Sequence, residues 1–113
     1  DDAYLYLHTE PNGHIQGVNL LAMLAGYKIP ADRVRFTDPY YSQHIGCPPS
    51  FVADVYRSFD VLLSPSYGEG FGIPVVEAQS VGCPVIVTDW TSMSELCGAG
   101  WKIEGERVWS EQG

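Results

Sequence analysis

The chain has 113 residues, of which 45% are hydrophobic and 18% are charged, a composition typical of one globular domain with a modest core. Its formal net charge of −8 argues against a nucleic-acid partner, because such a partner requires a basic surface. No apolar run approaches the ~20 residues that span a bilayer, so we expect no transmembrane segment. The chain has no initiator Met, and we expect it to be a piece of a longer protein.

The first half of the chain predicts two strands and a helix. Residues 4–8 are rich in aromatic and aliphatic side chains and predict a buried strand. Residues 18–24 carry apolar side chains at helical spacing, and Gly26 is a stop signal for that helix. Residues 33–36 predict a second short strand, and the proline-rich segment 38–49 predicts an irregular loop.

A second helix is predicted after this loop. Ser50 has the side chain of a helix cap, and Phe51, Val55 and Phe59 form the apolar stripe that we expect to face the core. The remaining predicted elements, in chain order, are a strand at 60–64, a helix introduced by Pro74, a strand at 85–87, a short helix at 92–96 and a strand at 101–103.

Strands and helices therefore alternate about five times, which predicts an α/β fold with a Rossmann-like parallel sheet and helices on both faces. We expect one partial domain over residues 1–113, with a polar tail at 105–113 that frays. Ligands of such sheets bind at the carboxyl ends of the strands. Asp89, Thr91 and Ser94 are predicted to be turn and cap residues before Glu95.

The most informative stretch is the run Glu69-Gly70-Phe71-Gly72-Ile73-Pro74-Val75-Val76-Glu77. It places a glycine-rich turn after a strand and before a helix, whose free N–H groups and positive dipole end favour phosphate. Glu77, about one turn into that helix, can accept hydrogen bonds from a ribose diol, and Glu69 from a second hydroxylated group. The pattern indicates a ligand of the form polyol–phosphate–polyol, such as a nucleotide sugar. The alternatives are a solvated helix face for Glu77 and a merely tight connection for the glycines.

The motif and its flanks resemble the C-terminal, donor-binding half of retaining glycosyltransferases with the GT-B fold. These are the glycosyl transferases group 1, which include glycogen synthase, sucrose synthase and bacterial mannosyltransferases. The matching residues are Pro65-Ser66, Glu69-Gly70-Phe71-Gly72, Pro74, Glu77-Ala78, Gly82, Pro84-Val85 and Thr88-Asp89.

The resemblance implies that the full-length protein moves a hexose from a nucleoside-diphosphate sugar to an acceptor with retention of anomeric configuration. It implies that Glu77 holds the ribose hydroxyls and that Glu69, the catalytic candidate, holds a hydroxyl of the donor sugar. The backbone of Gly70, Phe71, Gly72 and Ile73 would contact sugar and phosphate. The loop with Tyr40 and Tyr41 resembles the segment that lies against the nucleotide base, although both rings can instead pack on the domain.

The same resemblance implies no metal and no cofactor besides the nucleotide-sugar co-substrate. A saccharide or lipid-linked acceptor would be held by a missing N-terminal domain. We expect a cytoplasmic location. For the full-length protein, peripheral attachment to the inner membrane is the alternative. The chain lacks the Arg and Lys that the family places near the diphosphate, so we expect these 113 residues alone to be inactive. The alternatives are an inactive nucleotide-sugar-binding or interaction module and another GT-B enzyme, such as a nucleotide-sugar epimerase.

Overall fold

The computed structural model of the protein describes residues 2–12, 17–38, 40 and 45–105. Contacts along the chain divide it into two compact units, Asp1–Cys47 and Pro48–Gly113. Neighbouring strands are parallel in both units, in a two-stranded sheet in the first and a three-stranded sheet in the second. Parallel strands alternating with helices confirm the predicted α/β class. The assignment of both units to one partial domain stays a prediction, and the predicted frayed tail falls, beyond Gly105, outside the described residues.

The first unit contains strand β1 (Leu5–Leu7), helix α1 (Leu20–Gly26), a 3-10 turn (Ala31–Arg33) and strand β2 (Val34–Phe36). Helix α1 begins where the side chain of Asn19 accepts a hydrogen bond from the N–H of Ala22 at 3.0 Å. The predicted stop at Gly26 is confirmed. The predicted apolar stripe is only partly buried: Val18 precedes the helix and is exposed, and Leu24 is the residue of α1 that is buried.

The second unit contains helix α2 (Pro49–Arg57), strand β3 (Leu62–Ser64), helix α3 (Ile73–Ser80), strand β4 (Val85–Thr88), helix α4 (Ser92–Leu96) and strand β5 (Gly100–Ile103). The strand order is β3-β4-β5, with β4 in the centre. The predicted strands and helices of this half of the chain are thus confirmed to within a few residues. No helix in the described part of the chain is long and apolar enough to cross a bilayer.

The core of the second unit lies between β4 and the helices that follow β3 and β4. Alternate residues of β4 point into it, because Val85 and Val87 are buried while Ile86 and Thr88 are partly exposed. The buried cluster consists of Val75, Ala78, Cys83, Val85, Val87 and Met93. Helices α3 and α4 therefore cover one face of the sheet and fix the turns at its carboxyl edge.

Helix α2 differs from its prediction in two respects. It begins at Pro49, so Ser50 lies inside the first turn and not at the cap, and no side chain caps the helix. Proline suits this first position, where its missing N–H costs nothing. The inward stripe is also shifted: Phe51 is 46% exposed, whereas Tyr56 packs against the core cluster together with Phe59.

Candidate functional site

The motif forms an open turn at the carboxyl end of β3, followed directly by α3. Strand β3 ends at Ser64 and the helix begins at Ile73, so residues 65–72, including Glu69, lie at the edge of the sheet where ligands of parallel sheets bind. Pro74 is in the first turn of the helix, as predicted. No side chain caps this helix start and no acidic residue lies in its first turn. Pro74 has no N–H and the N–H of Val75 donates to the carbonyl of Gly72 at 3.1 Å, so in the first turn the N–H of Ile73 can serve a ligand.

The other end of α3 is closed by the predicted glycine. Gly82 has φ +88°, in the left-handed region, and donates its N–H to the carbonyl of Gln79 at 3.1 Å. The N–H of Cys83 donates to the carbonyl of Ala78 at 3.0 Å, which completes a Schellman motif. This closure ends α3 at Ser80, three residues after Glu77.

The glycines at positions 70 and 72 of the turn have different surroundings. Gly72 has φ +90°, and a Cβ built on it would lie 2.6 Å from the Sδ atom of Met93. A Cβ on Gly70 would meet no atom within 4 Å. The bare side of Gly72 therefore faces the core and allows close packing, whereas Gly70 leaves open space at the surface.

Glu69 is held through its backbone by the connection between β4 and α4. Its N–H donates to Oγ1 of Thr91 at 3.4 Å, and its carbonyl accepts a hydrogen bond from Oγ of Ser92 at 3.1 Å. Its carboxylate accepts one hydrogen bond, at 3.0 Å, from Oγ of Ser66. The carbonyl of Ser66 in turn accepts from the hydroxyl of Thr88 at 3.0 Å. Glu69 is exposed, so its carboxylate is available to a ligand.

Of the predicted turn and cap residues, Asp89 and Thr91 precede α4, whereas Ser94 lies inside it. Thr91 is the residue before the helix, but its side chain makes no cap hydrogen bond and instead accepts from Glu69. The backbone of Thr91 has φ 53° and ψ −148°, a conformation that is strained for a β-branched residue. The hydroxyl of Ser94 donates to the carboxylate of Asp89. The hydroxyl of Thr91 thus connects two loops, whereas the hydroxyl of Ser94 bonds within the segment that leads into its own helix.

Glu77 lies on the exposed face of α3, four residues after Ile73. Residues four apart share a helix face, and helical side chains lean toward the N-terminus, so the carboxylate is directed toward the helix start. Its Oε2 atom accepts a hydrogen bond of 3.2 Å from the hydroxyl of Tyr56. Burial of the phenol, together with the charge and hydrogen bond of Glu77, raises the pKa of Tyr56 to about 12. Tyr56 is therefore a hydrogen-bond donor at neutral pH.

Gln79 connects α3 to the segment between α4 and β5. Its Nε2 donates to the carbonyls of Val75, at 3.0 Å, and Leu96, at 2.9 Å. Its Oε1 accepts from the N–H groups of Gly98 and Ala99, both at 2.8 Å. The amide thus uses both its donor and its acceptor groups, which fixes the inner side of α3.

Positive charge is scarce around the turn. The cationic side chains in the described part of the second unit are Arg57, which pairs with Asp54 at 2.8 Å, and Lys102, whose Nζ lies 3.5 Å from Oγ of Ser94. No group of three or more His, Cys, Asp or Glu in the described residues could hold a metal ion. The buried thiol of Cys83 is poorly suited to chemistry, because burial raises its pKa above the ordinary value.

The structure brings six of the predicted site residues onto one turn and helix. Phe71 and Ile73 are 56% and 60% exposed and present apolar side chains beside the helix start. Tyr40 belongs to the first unit, is exposed and donates its N–H to the carboxylate of Asp38 at 2.9 Å. Tyr41 lies outside the described residues. The proposed roles of all these residues stay predictions.

Two groups of residues were missed by the sequence analysis. The hydroxyls around Glu69 could have been predicted, because Ser66 lies just after β3 and Thr88 is the last residue of the neighbouring strand β4. Tyr56 is four residues after Val52 and three before Phe59, so it lies on an alternative apolar stripe of the same helix.

Comparison with known proteins identifies related sequences. The model of the family "Glycosyl transferases group 1" matches residues 13–109. The chain is 35% identical over 85 residues to a D-inositol 3-phosphate glycosyltransferase of Nocardia farcinica, a match that covers 74% of this chain and 17% of that protein. It is 37% identical over 75 residues to the lipopolysaccharide core biosynthesis mannosyltransferase LpsB of Rhizobium meliloti, covering 66% of this chain and 19% of that protein.

A D-inositol 3-phosphate glycosyltransferase of Corynebacterium diphtheriae is 45% identical over 56 residues, which cover 50% of this chain and 12% of that protein. The chain therefore spans less than a fifth of the length of these curated relatives. No solved structure matches it significantly.

Proposed function

Since the chain belongs to the glycosyl transferases group 1, we propose that it is the donor-binding part of a glycosyltransferase that uses a nucleoside-diphosphate sugar. The proposed reaction moves a hexose to a saccharide or lipid-linked acceptor with retention of anomeric configuration. The observation that supports it best is the position of Glu69 and Glu77 on either side of an uncapped helix start, at the carboxyl edge of a parallel sheet. No metal or further cofactor is included in the proposal.

In this proposal the backbone N–H groups of residues 70–73 bind the sugar and the diphosphate, and the helix dipole of α3 stabilises the charge that develops on the diphosphate as the sugar leaves. Glu77 accepts hydrogen bonds from the ribose diol, and Glu69 accepts one from a hydroxyl of the sugar. Phe71 and Ile73 would exclude water beside the phosphates. Tyr40 would lie against the base.

The test of Glu77 is its replacement by Ala in the protein that carries this chain. Losing a charge-assisted hydrogen bond should weaken binding of the nucleoside diphosphate by ~1.5–3 kcal/mol, about ten- to 150-fold. Calorimetry with UDP, GDP and ADP, and with their sugars, measures this and also identifies the base. Unchanged affinity with a lowered melting temperature would make Glu77 a structural residue.

The test of Glu69 separates the sugar from the nucleotide. Glu69→Gln should impair transfer and sugar-nucleotide binding while binding of the bare diphosphate stays nearly the same. Equal loss for both ligands would contradict the placement of the sugar. Binding without any transfer would favour an interaction module, and release of free sugar and nucleotide without an acceptor would favour an epimerase-like enzyme.

We also propose that these 113 residues catalyse no transfer by themselves. A departing diphosphate requires more positive charge than a helix dipole of about half an elementary charge supplies, and Arg57 is already paired. The acceptor would be held by another part of the protein, so its proximity is also missing. The proposed location is the cytoplasm, at the inner membrane if the acceptor is lipid-linked. A radiolabelled-donor assay of the isolated chain beside the full-length protein tests the point, and comparable rates would refute it.

A further inference from the structure

We infer that Tyr56 is a positioning residue for Glu77: its hydroxyl holds one carboxylate oxygen of Glu77 so that the other is presented to the ribose diol of the donor. The inference rests on the proposed function, because it assigns a partner to the acid that is proposed to bind ribose. It concerns a residue of α2, outside the motif that suggested the site.

The position of the Tyr56 hydroxyl is set by packing. The ring lies against the core cluster and meets the ring of Phe59 edge-on, with centroids 6.2 Å apart. Such an arrangement leaves the phenol little freedom. Its oxygen therefore offers a hydrogen-bond donor at a defined point above α3.

The position of the Glu77 carboxylate, by contrast, would not be defined by its own helix. Glu77 is exposed, and an exposed Glu samples several rotamers. The 3.2 Å bond from Tyr56 to Oε2, made across 21 residues of sequence, selects one arrangement. A carboxylate has about four acceptor sites, so Oε1 retains its full capacity for the hydroxyls of a ligand.

The charge state of the pair suits this role. Because burial and Glu77 raise the pKa of Tyr56 to about 12, the phenol is protonated at neutral pH, so it donates and the carboxylate accepts. The arrangement lowers the conformational entropy that Glu77 loses when the ligand binds. Ordering one such side chain affects affinity by about two- to tenfold.

The experiment compares ribonucleotides with 2′,3′-dideoxyribonucleotides, which lack both hydroxyls of the diol. Calorimetry of the protein with UDP, GDP and ADP finds the base that binds, and the measurement is repeated with the 2′,3′-dideoxy form. We expect the wild type to prefer the ribonucleotide. Tyr56→Phe keeps the ring and removes only the hydroxyl, and it should reduce this preference by about two- to tenfold while affinity for the dideoxynucleotide stays the same. Tyr27→Phe, at an exposed tyrosine just after α1, is the matched control and should change neither affinity.

Glu77→Gln and the double variant complete the design. If Tyr56 acts through Glu77, then Tyr56→Phe should have no further effect on the preference in the Glu77→Gln background. A wild-type preference that Glu77→Gln abolishes and Tyr56→Phe leaves intact would overturn the positioning role and keep the proposed function. A wild type with no preference, or with no nucleotide binding, would overturn both. Equal weakening of both nucleotides by Tyr56→Phe would show that the bond only links α2 to α3.

Discussion

The turn and helix over residues 65–80 have two sides that differ in what holds them. The inner side, represented by Gly72 and Gln79, is packed against Met93 or hydrogen-bonded to α4 and to the segment between α4 and β5. The outer side, represented by Glu69, Gly70 and Glu77, is exposed and has open space around Gly70. Residues that are neighbours in one motif can therefore serve stability or ligand binding, and the side on which each lies decides which.

The largest effect is expected on the inner side, from Gly72→Val. The new side chain would meet Sδ of Met93, and its backbone would have to keep φ +90°. Overpacking and the left-handed backbone together should lower the free energy of unfolding by about 2–4 kcal/mol, measured by urea unfolding. This variant therefore cannot report on how closely a ligand approaches the turn. If Gly72→Val had the same free energy of unfolding as the wild type, Gly72 would not belong to a tightly packed inner side, and the division into two sides would be wrong.

A smaller loss of stability is expected from Gln79→Glu. The carboxylate keeps the acceptor for Gly98 and Ala99 but loses the two donors, and it places negative charge beside the carbonyls of Val75 and Leu96. The free energy of unfolding should fall by about 1–3 kcal/mol. Glu95→Gln, which also exchanges an acid and an amide but at an exposed position of α4, is the control and should leave the free energy of unfolding nearly unchanged. Nucleotide affinity at a temperature where both proteins are folded should stay the same.

On the outer side, Gly70→Ala should leave stability unchanged and weaken donor binding. A methyl group there meets no protein atom, so it would occupy only the space of a ligand that approaches the backbone. We expect a loss of about tenfold, or ~1.4 kcal/mol, in nucleotide-sugar affinity. Calorimetry beside thermal unfolding gives both quantities. Wild-type affinity with wild-type stability would show that no ligand approaches Gly70 closely.

The smallest expected effect concerns the pKa of Tyr56. The pKa of Tyr56 is raised from 10.0 to about 12, so the folded protein keeps a proton that the unfolded chain releases near pH 10. The stability that this contributes is present below pH 10 and is lost as the pH rises toward 12. The absorbance of phenolate, with Tyr56→Phe as the reference, measures the pKa directly. Glu77→Gln should lower it while leaving it above 10.0, since burial is the first cause of the shift.

The sequence was sufficient for the elements and for the motif. Apolar runs located the strands, and the stop signals at Gly26 and Gly82 ended their helices where expected. At Gly82 this is a local effect, because a left-handed residue after a helix depends little on the rest of the fold, whereas Gly26 is itself the last residue of its helix.

What the sequence did not predict depends on contacts between distant segments. Tyr56 and Phe51 fit two stripes of the same helix, and only the packing of α2 against the core decides between them. The hydroxyl of Thr91 had a local cap available and binds Glu69, 22 residues away, instead. Nor does the sequence reveal that Gly72 faces Met93 whereas Gly70 faces open space.

Strand β5 is an edge of the described three-stranded sheet, and an open edge favours self-association. It pairs with β4 on one side, and no strand lies along its other side within the described sheet. All four of its residues are exposed, including Trp101 and Ile103. An edge of this kind is a template for strands of other molecules. The side chain of Lys102 leaves the strand by the face opposite to these two apolar side chains, and its Nζ lies 3.5 Å from Oγ of Ser94. Because its charge would repel the same edge of a second molecule, we expect the replacement of this lysine by Leu to lower solubility before it affects the melting temperature.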